Sequence, residues 1–451
     1  MVPFRGDGAY TCACAQRQRE APVVTASPPA LDRRAVAAWC LFDWASNAWP
    51  TVATTFVFAA YVTREVAPNP EVGTAWWGTA TAIAALIVAL SSPITGAIAD
   101  RAGRRKPWIA GFTVLTVAVS CALWTITPEP AALLPAVILA ALGVIGFESS
   151  QVFYNAMLPE IVPPRWIGRV SGWAWGLGYA GGLGCLGTCL GLLVLPDPPL
   201  LPLDPAAAEP VRFTGFIIAA WFALFSLPFF WRVPDRPSAG LSYGAAARAG
   251  MAQLRRTLAE LLPRHRRVAH YLLARMLYTD GLVTLFNFGG VYAAGTFGMG
   301  FQDILVFGIV LNVTAGLGAA AFAFVDDWIG PKRTIVLALI GLIGVGIAAL
   351  LVQTPTGLYI AGSFLGIFFG PAQAASRSLM ARMAPAAERA EMFGLYALSG
   401  KATAFLGPFV VGWVTYLAGS QRVGMATILV FFLAGLALLL PLKAPAQEGA
   451  G

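Results

Sequence analysis

Charged and amide side chains stand inside several long apolar runs of this sequence. Asp43 and Asn47 are one helical turn apart near its beginning. Glu148, Gln151 and Asn155 share a helical face at i, i+3 and i+7, as do Asp280, Thr284 and Asn287. Gln373, Ser376 and Arg377 cluster in another run, and Lys401 lies twelve residues into the next. Ionisable groups in hydrocarbon are costly and mark ion paths, proton relays or ligand counter-charges. Acids can hold an ammonium group or carry a proton. Arg377 can grip a carboxylate bidentately, and Lys401 offers a compact point charge. Acids and bases in one cavity fit a small zwitterionic solute such as an amino acid, with protons as a candidate second ligand. The plainer alternative for Lys401 is a permanent pair with a carboxylate that only locks its helix. For Arg275 and Arg377, near helix ends, snorkelling or gating stands beside binding.

Other chemistry finds no support. His265 and His270 are the only histidines, and no nucleophile–His pair is visible. The six cysteines, Cys12, Cys14, Cys40, Cys121, Cys185 and Cys189, have no zinc-site spacing. Gly176, Gly178 and Gly181 match a dinucleotide fingerprint but lie inside an apolar helix with no preceding strand. Gly394 to Ala402 resembles a phosphate loop but has five residues between its glycines and Ala402 where Ser or Thr is required. The expectation is no catalytic residue, no metal, no cofactor and no enzyme activity.

The elements that position these charges follow from composition. Of 451 residues, 58% are hydrophobic and 12% charged, too few charges to cover a soluble surface. Apolar stretches long enough to cross ~30 Å of hydrocarbon recur through the chain. They fall at 35–63, 74–99, 107–127, 131–158, 169–195 and 212–232, then 269–295, 302–325, 334–353, 357–383, 390–418 and 421–441. Their length and continuous apolarity select helices over barrel strands. With the N-terminus inside, cytoplasmic segments and their flanks hold 24 of the 30 Lys and Arg, against Arg64, Arg212 and Arg422 outside. That bias places both termini in the cytoplasm of a cell's inner membrane. It also assigns the net charge of +8 to headgroups and cytosol, with no nucleic-acid partner expected.

Residues 1–34 read as a disordered cytoplasmic tail, 35–232 as a six-helix half, 233–268 as a basic linker, 269–441 as a second half and 442–451 as a cytoplasmic tail. The linker is equally compatible with an amphipathic surface helix and a solvated strand of chain. The halves repeat. A shift of 222 superposes Gln151 on Gln373, Pro163 on Pro385, Gly172 on Gly394 and Gly178 on Gly400. A shift of 227 superposes Asp100 on Asp327 and Gly103 on Gly330. Repeated halves are the architecture of many secondary transporters, with substrate bound between them.

The sharpest local signal runs from Gly96 to Lys106. Gly96 permits close helix approach, and Asp100 stands at the membrane rim, where it can face a helix N-terminus or a cation. Gly103 allows a tight turn, while Arg101, Arg104, Arg105 and Lys106 hold the loop at the inner surface. Asp327, Gly330 and Arg333 echo it in the second half. The pattern G-x-x-x-D-R-x-G-R-R-K resembles the loop between the second and third helices of the major facilitator superfamily. That resemblance implies a gating loop.

Further runs are similar to the vacuole-effluxer-like branch of that superfamily, which contains fungal autophagy-related amino-acid effluxers and bacterial relatives. They include Phe42-Asp43-Trp44-Ala45-Ser46-Asn47, Phe153 through Glu160 and Arg169-Val170-Ser171-Gly172. Tyr278-Thr279-Asp280-Gly281, Ser376-Arg377-Ser378, Phe393 through Tyr396 and Ser399 through Thr403 complete the set, which spans Ala35 to Leu440. The resemblance implies an all-α membrane protein of twelve transmembrane helices in two pseudo-symmetric halves. It also implies a monomer that exports amino acids or similar metabolites by alternating access through the lipid bilayer. A drug or sugar facilitator, and a transporter-like receptor that binds without cycling, are the alternatives. Asp43, Asn47, Glu148, Gln151, Asn155, Asp280, Asn287, Gln373, Arg377 and Lys401 are the expected cavity residues. Among the acids, Asp280 and Asp43 lead as proton carriers because they stand on the first helix of each half.

Overall fold

The computed structural model describes residues 31–193, 201–240, 242–260 and 265–443. The expected tails, residues 1–34 and 442–451, lie outside these except for 31–34, where a helix already begins at Arg33, and 442–443; Cys12, Cys14 and Arg264 also lie outside. Among the described residues every regular element is helical. The first half comprises α1 (Arg33–Ser46), α2 (Pro70–Ala102), α3 (Lys106–Ala122), α4 (Leu133–Ile161), α5 (Ile167–Leu193) and α6 (Glu209–Arg232). The linker contributes α7 (Tyr243–Glu260). The second half comprises α8 (Arg266–Phe297), α9 (Phe301–Ile329), α10 (Pro331–Leu351), α11 (Pro355–Met383), α12 (Arg389–Ser399), α13 (Leu406–Ala418) and α14 (Gln421–Leu439).

Among the described residues nine helices are long and apolar enough to cross a membrane unaided. The other three expected spans are those of Asp43, Asp280 and Lys401, and two of them are irregular. Asp32 caps α1 by accepting from the Arg34 and Ala35 N–H groups. Beyond α1 the span continues in wide turns, where Val57 N–H donates to Val52 O at 2.9 Å and Ala67 N–H to Val62 O at 3.0 Å. Such i→i+5 turns recur at functional sites. The Lys401 span is broken into α12 and α13, with Lys401 in the break.

One packing scheme occurs twice. α1 packs on α5 and α6, α2 on α4, and α3 on α4 and α6. Correspondingly α8 packs on α12, α13 and α14, α9 on α11, and α10 on α11 and α14. Between the halves, α5 lies on α9 and α12 lies on α2. Both crossings rest on a repeat-related glycine. A Cβ on Gly172 would come within 2.5 Å of Ala319 O, and one on Gly394 within 2.5 Å of Ser92 O. Aromatic stacking sets α1 against α4 and α6: Trp39 stacks on Tyr154 at 4.3 Å, and Phe42 packs on Tyr154 and Phe229.

The linker is a helix lying on α2. Ala246, Gly250, Gln253, Leu254 and Thr257 form its buried face, with Gly250 flush against the backbone of Ala97 and Ile98.

Candidate functional site

A cavity of about 250 Å³ opens between the halves, lined by side chains of α1, α4, α5, α8, α11 and α12 with Lys401. Eight expected residues line it: Asp43, Asn47, Glu148, Gln151, Asn155, Gln373, Arg377 and Lys401. Two ion pairs cross it, and both join the first half to the second.

The deeper pair is Arg377–Asp43 at 3.0 Å. Arg377 Nη1 also donates to Asn155 Oδ1 at 3.1 Å, Nε to Ser171 Oγ at 2.9 Å and Nη2 to Ser171 O at 2.6 Å. The Trp39, Trp175 and Tyr154 rings lie 5.0, 5.7 and 5.9 Å from its guanidinium carbon. This guanidinium is held from every side, and no outward snorkel forms. The second pair is Lys401–Glu148 at 2.9 Å. Lys401 and Glu148 side chains are 19% and 32% exposed, against 3% and 7% for Arg377 and Asp43. The second pair is therefore the more accessible of the two. Gln151 Nε2 donates to Ser46 Oγ at 3.0 Å and Asn47 Nδ2 to Asp43 O at 2.9 Å, ordering the α1–α4 wall.

Two expected residues lie elsewhere. Asn287 is exposed and does not line the cavity. Asp280 is buried on α8 facing the α12–α13 break, near the Gly407 N–H and the Thr403 hydroxyl. Neither of its oxygens makes a hydrogen bond of normal geometry. The α8 face turned to the cavity carries Arg275, Thr279 and Val283 instead. Arg275 Nη1 donates to Tyr396 O at 2.7 Å and Ser399 Oγ at 2.9 Å, and its guanidinium stacks on the Tyr396 ring at 3.5 Å. It thereby holds the last turn of α12, just before Lys401. Cations suit that end of a helix.

The end of the bundle bearing the Gly103–Lys106 loop is closed. Asp100 Oδ1 pairs with Arg105 at 2.9 Å, and its Oδ2 accepts from Glu391 N–H, in the first turn of α12, at 2.9 Å. Arg105 is fully buried and also reaches Glu160 and Ala156 O. Arg236 and Arg389 share Glu160. Burial, only partly offset by Glu160, pushes the Arg389 guanidinium below its ordinary value; Arg236 and Arg105 push the same way. Asp327 makes the related contact in the other half, accepting from Gly168 N–H near the start of α5 at 3.0 Å, with Arg169 at 3.3 Å and Arg382 at 3.4 Å. Gly103 (φ +91°) and Gly330 (φ +89°) turn the two loops in a region that disfavours side chains. Gly96 lies against Ala390 and Glu391 backbone. Arg101 and Arg104 are exposed and outside the network.

Arg236, Asp235, Arg389 and Glu391 were absent from the sequence-based set. They sit in short connections or first turns, where charge is ordinary; the only sequence signal is their nearness to the basic loop.

A family described as "Vacuole effluxer Atg22 like" matches residues 74–448. The chain belongs to that family. YxiO of Bacillus subtilis, an uncharacterized MFS-type transporter, is 27% identical over 408 residues, 89% of this chain and 93% of its own. Autophagy-related protein 22-1 of Aspergillus niger is 24% identical over 314 residues, and the match spans only 49% of that longer protein. Among solved structures, the human organic anion transporter MFSD10 (TETRAN) superposes with a TM-score of 0.68 at 17% identity, covering 90% of this chain and 99% of the other. FucP in its outward conformation superposes with a TM-score of 0.70 at 14% identity, covering 92% and 100%. The fold is that of the major facilitator superfamily, and this Atg22-like protein is a multi-pass membrane transporter of that type.

Proposed function

We propose that this Atg22-like protein exports small zwitterionic solutes, amino acids or close relatives, across a cell membrane. In this reading the closed basic end faces the cytoplasm and the cavity faces out. The observation that carries it is the pair of ion pairs that bridge the halves inside one small cavity. Unpaired charges there would be costly, so in the empty site acids and bases hold one another. A zwitterion can replace one pairing without leaving a charge bare: its carboxylate meets Lys401 and its ammonium Glu148. Once it departs, the pairs re-form, which is the arrangement described above. A volume of about 250 Å³ lies below the range usual for drug-sized ligands, which favours a metabolite. The effluxer description of the family supports the direction. If protons drive the cycle, Asp280 is the carboxylate for them, because Asp43 and Glu148 are engaged in pairs.

Counterflow in proteoliposomes with a panel of amino acids tests the proposal. Lys401→Met should insert normally and lose affinity for free amino acids by about tenfold or more, given the worth of a charge-assisted hydrogen bond, while changing affinity for their amides little. Equal losses for acids and amides would remove Lys401 as the carboxylate reader. Absence of saturable counterflow for every amino acid would overturn the substrate class.

A further inference from the structure

The two halves differ at one matching place. In the first half the N-terminus of α3 is neutralised from within: Arg105 N–H and Lys106 N–H donate to the Asp235 carboxylate at 3.0 and 3.2 Å. Asp235 follows the end of α6, where Lys106 Nζ donates to Phe230 O at 2.8 Å. The second half reproduces the lysine contact, Lys332 Nζ to Leu440 O at 2.7 Å near the end of α14. Residues 441–443, however, bring Lys443 and no acid to the N-terminus of α10.

In place of that carboxylate is a cavity of about 820 Å³ lined by Lys332, Arg333, Arg382, Arg389 and Lys443. Among the described residues no Asp or Glu lines it. Arg382 and Arg389 turn toward Asp327 and Glu160 on one side, yet the Nε of each is buried without a hydrogen bond. Lys332 and Arg333 stand in the first turn of α10, the end of a helix that ordinarily takes acids. Five cations and a helix N-terminus thus converge on a space whose counterpart holds a carboxylate.

We propose that this pocket binds a phosphate-bearing anion, which supplies the carboxylate's missing charge. Phosphate suits the donor set, since arginine binds it in a bidentate fork and helix N-terminal N–H groups favour it. Pro159, Pro164 and Ile167 of the first half also line the pocket, so the anion contacts both halves and holds the basic end closed. It acts as a brake on the cycle. The inference rests on the reading of that end as cytoplasmic and on the transport function proposed above.

The test uses the full-length protein. Inorganic pyrophosphate is titrated against detergent-solubilised protein, and counterflow is measured with pyrophosphate on the basic side. A second arm compares phosphatidylcholine vesicles with and without phosphatidic acid. Saturable pyrophosphate binding that slows counterflow identifies a soluble anion, and slowing by phosphatidic acid alone identifies a lipid headgroup; either supports the site. Arg333→Gln with Lys443→Gln should weaken binding by about tenfold or more. Lys443→Asp, which offers an internal carboxylate, should abolish inhibition while anion-free counterflow persists. Wild-type affinity in these variants, or no effect in either arm, overturns the site. Pyrophosphate binding without transport of any amino acid would instead overturn the proposed function and leave the site standing.

Discussion

The Asp100 and Asp327 turns are the same device built twice, yet they are not equally strong. Each acid reaches a backbone N–H at the start of a helix in the opposite half, α12 for Asp100 and α5 for Asp327. Asp100 is met by a fully buried arginine from its own loop. Asp327 is met by Arg169 and Arg382, which remain 29% and 13% exposed. Among the described residues the linker then reinforces only the first turn. Asp235 and Arg236 enter from one side, and α7 lies along α2 with Gln253 Nε2 donating to Glu391 Oε2 at 2.9 Å. Duplication therefore sets the geometry of both locks, and the unduplicated linker decides which is tighter.

That difference can be broken from its strongest member downward. Arg105→Gln should have the largest effect, because it removes the buried cation that joins Asp100 to Glu160 and leaves Asp100 only Arg236 at 3.7 Å and the Glu391 N–H. Loss of one partner of a buried pair costs about 3–5 kcal/mol. The expected outcome is a shift toward a state open at the basic end, read as longer spin-label distances between the start of α5 and the end of α9. Gly394→Ala comes next, since its Cβ would meet Ser92 O at 2.5 Å in the lock that the linker braces. Gly172→Ala meets an equivalent oxygen in the looser lock, so it should open the basic end less in the same measurement.

Asp100→Asn should slow transport while leaving equilibrium ligand binding near wild type, and Asp327→Asn should do the same to a smaller extent. About 1–2 kcal/mol is expected for removing a charge at a helix N-terminus in a partly buried setting. Equal effects of the two asparagines would show that the linker adds nothing. The smallest change is Gln253→Ala, worth about 0.5–1.5 kcal/mol for one hydrogen bond. It should bring the exchange rate of the first-turn α12 amides toward that of the first turn of α5.

Much of this organisation was legible in the sequence, for physical reasons. Hydrocarbon tolerates only long apolar helices and punishes stray charge, so the spans and the cavity's charged residues declare themselves together. The 222- and 227-residue offsets carried real geometry, down to the matched contacts of Gly172 and Gly394. The pairings themselves were not legible, because Arg377–Asp43 and Lys401–Glu148 join residues 334 and 253 positions apart. Asn287 shows the limit of periodicity. It lies seven residues beyond Asp280 on nearly the same face, but the cavity face of α8 is that of Arg275, Thr279 and Val283, so neither side chain lines the cavity. Asp280 instead faces the break in the Lys401 span, which no hydropathy pattern announces. The alternatives for the linker were decided by Gly250, whose missing side chain lets a helix settle on α2.

The two neutral pairs have an electrical consequence. Arg377 with Asp43 and Lys401 with Glu148 sum to no net charge, and a zwitterion that exchanges into either pair adds none. A membrane voltage does about 2.3 kcal/mol of work per elementary charge per 100 mV, so it would do none on the loaded site itself. If the solute is a zwitterion, as proposed, any current recorded during its transport would therefore count coupling ions alone, and transport without current would be either uncoupled or coupled electroneutrally.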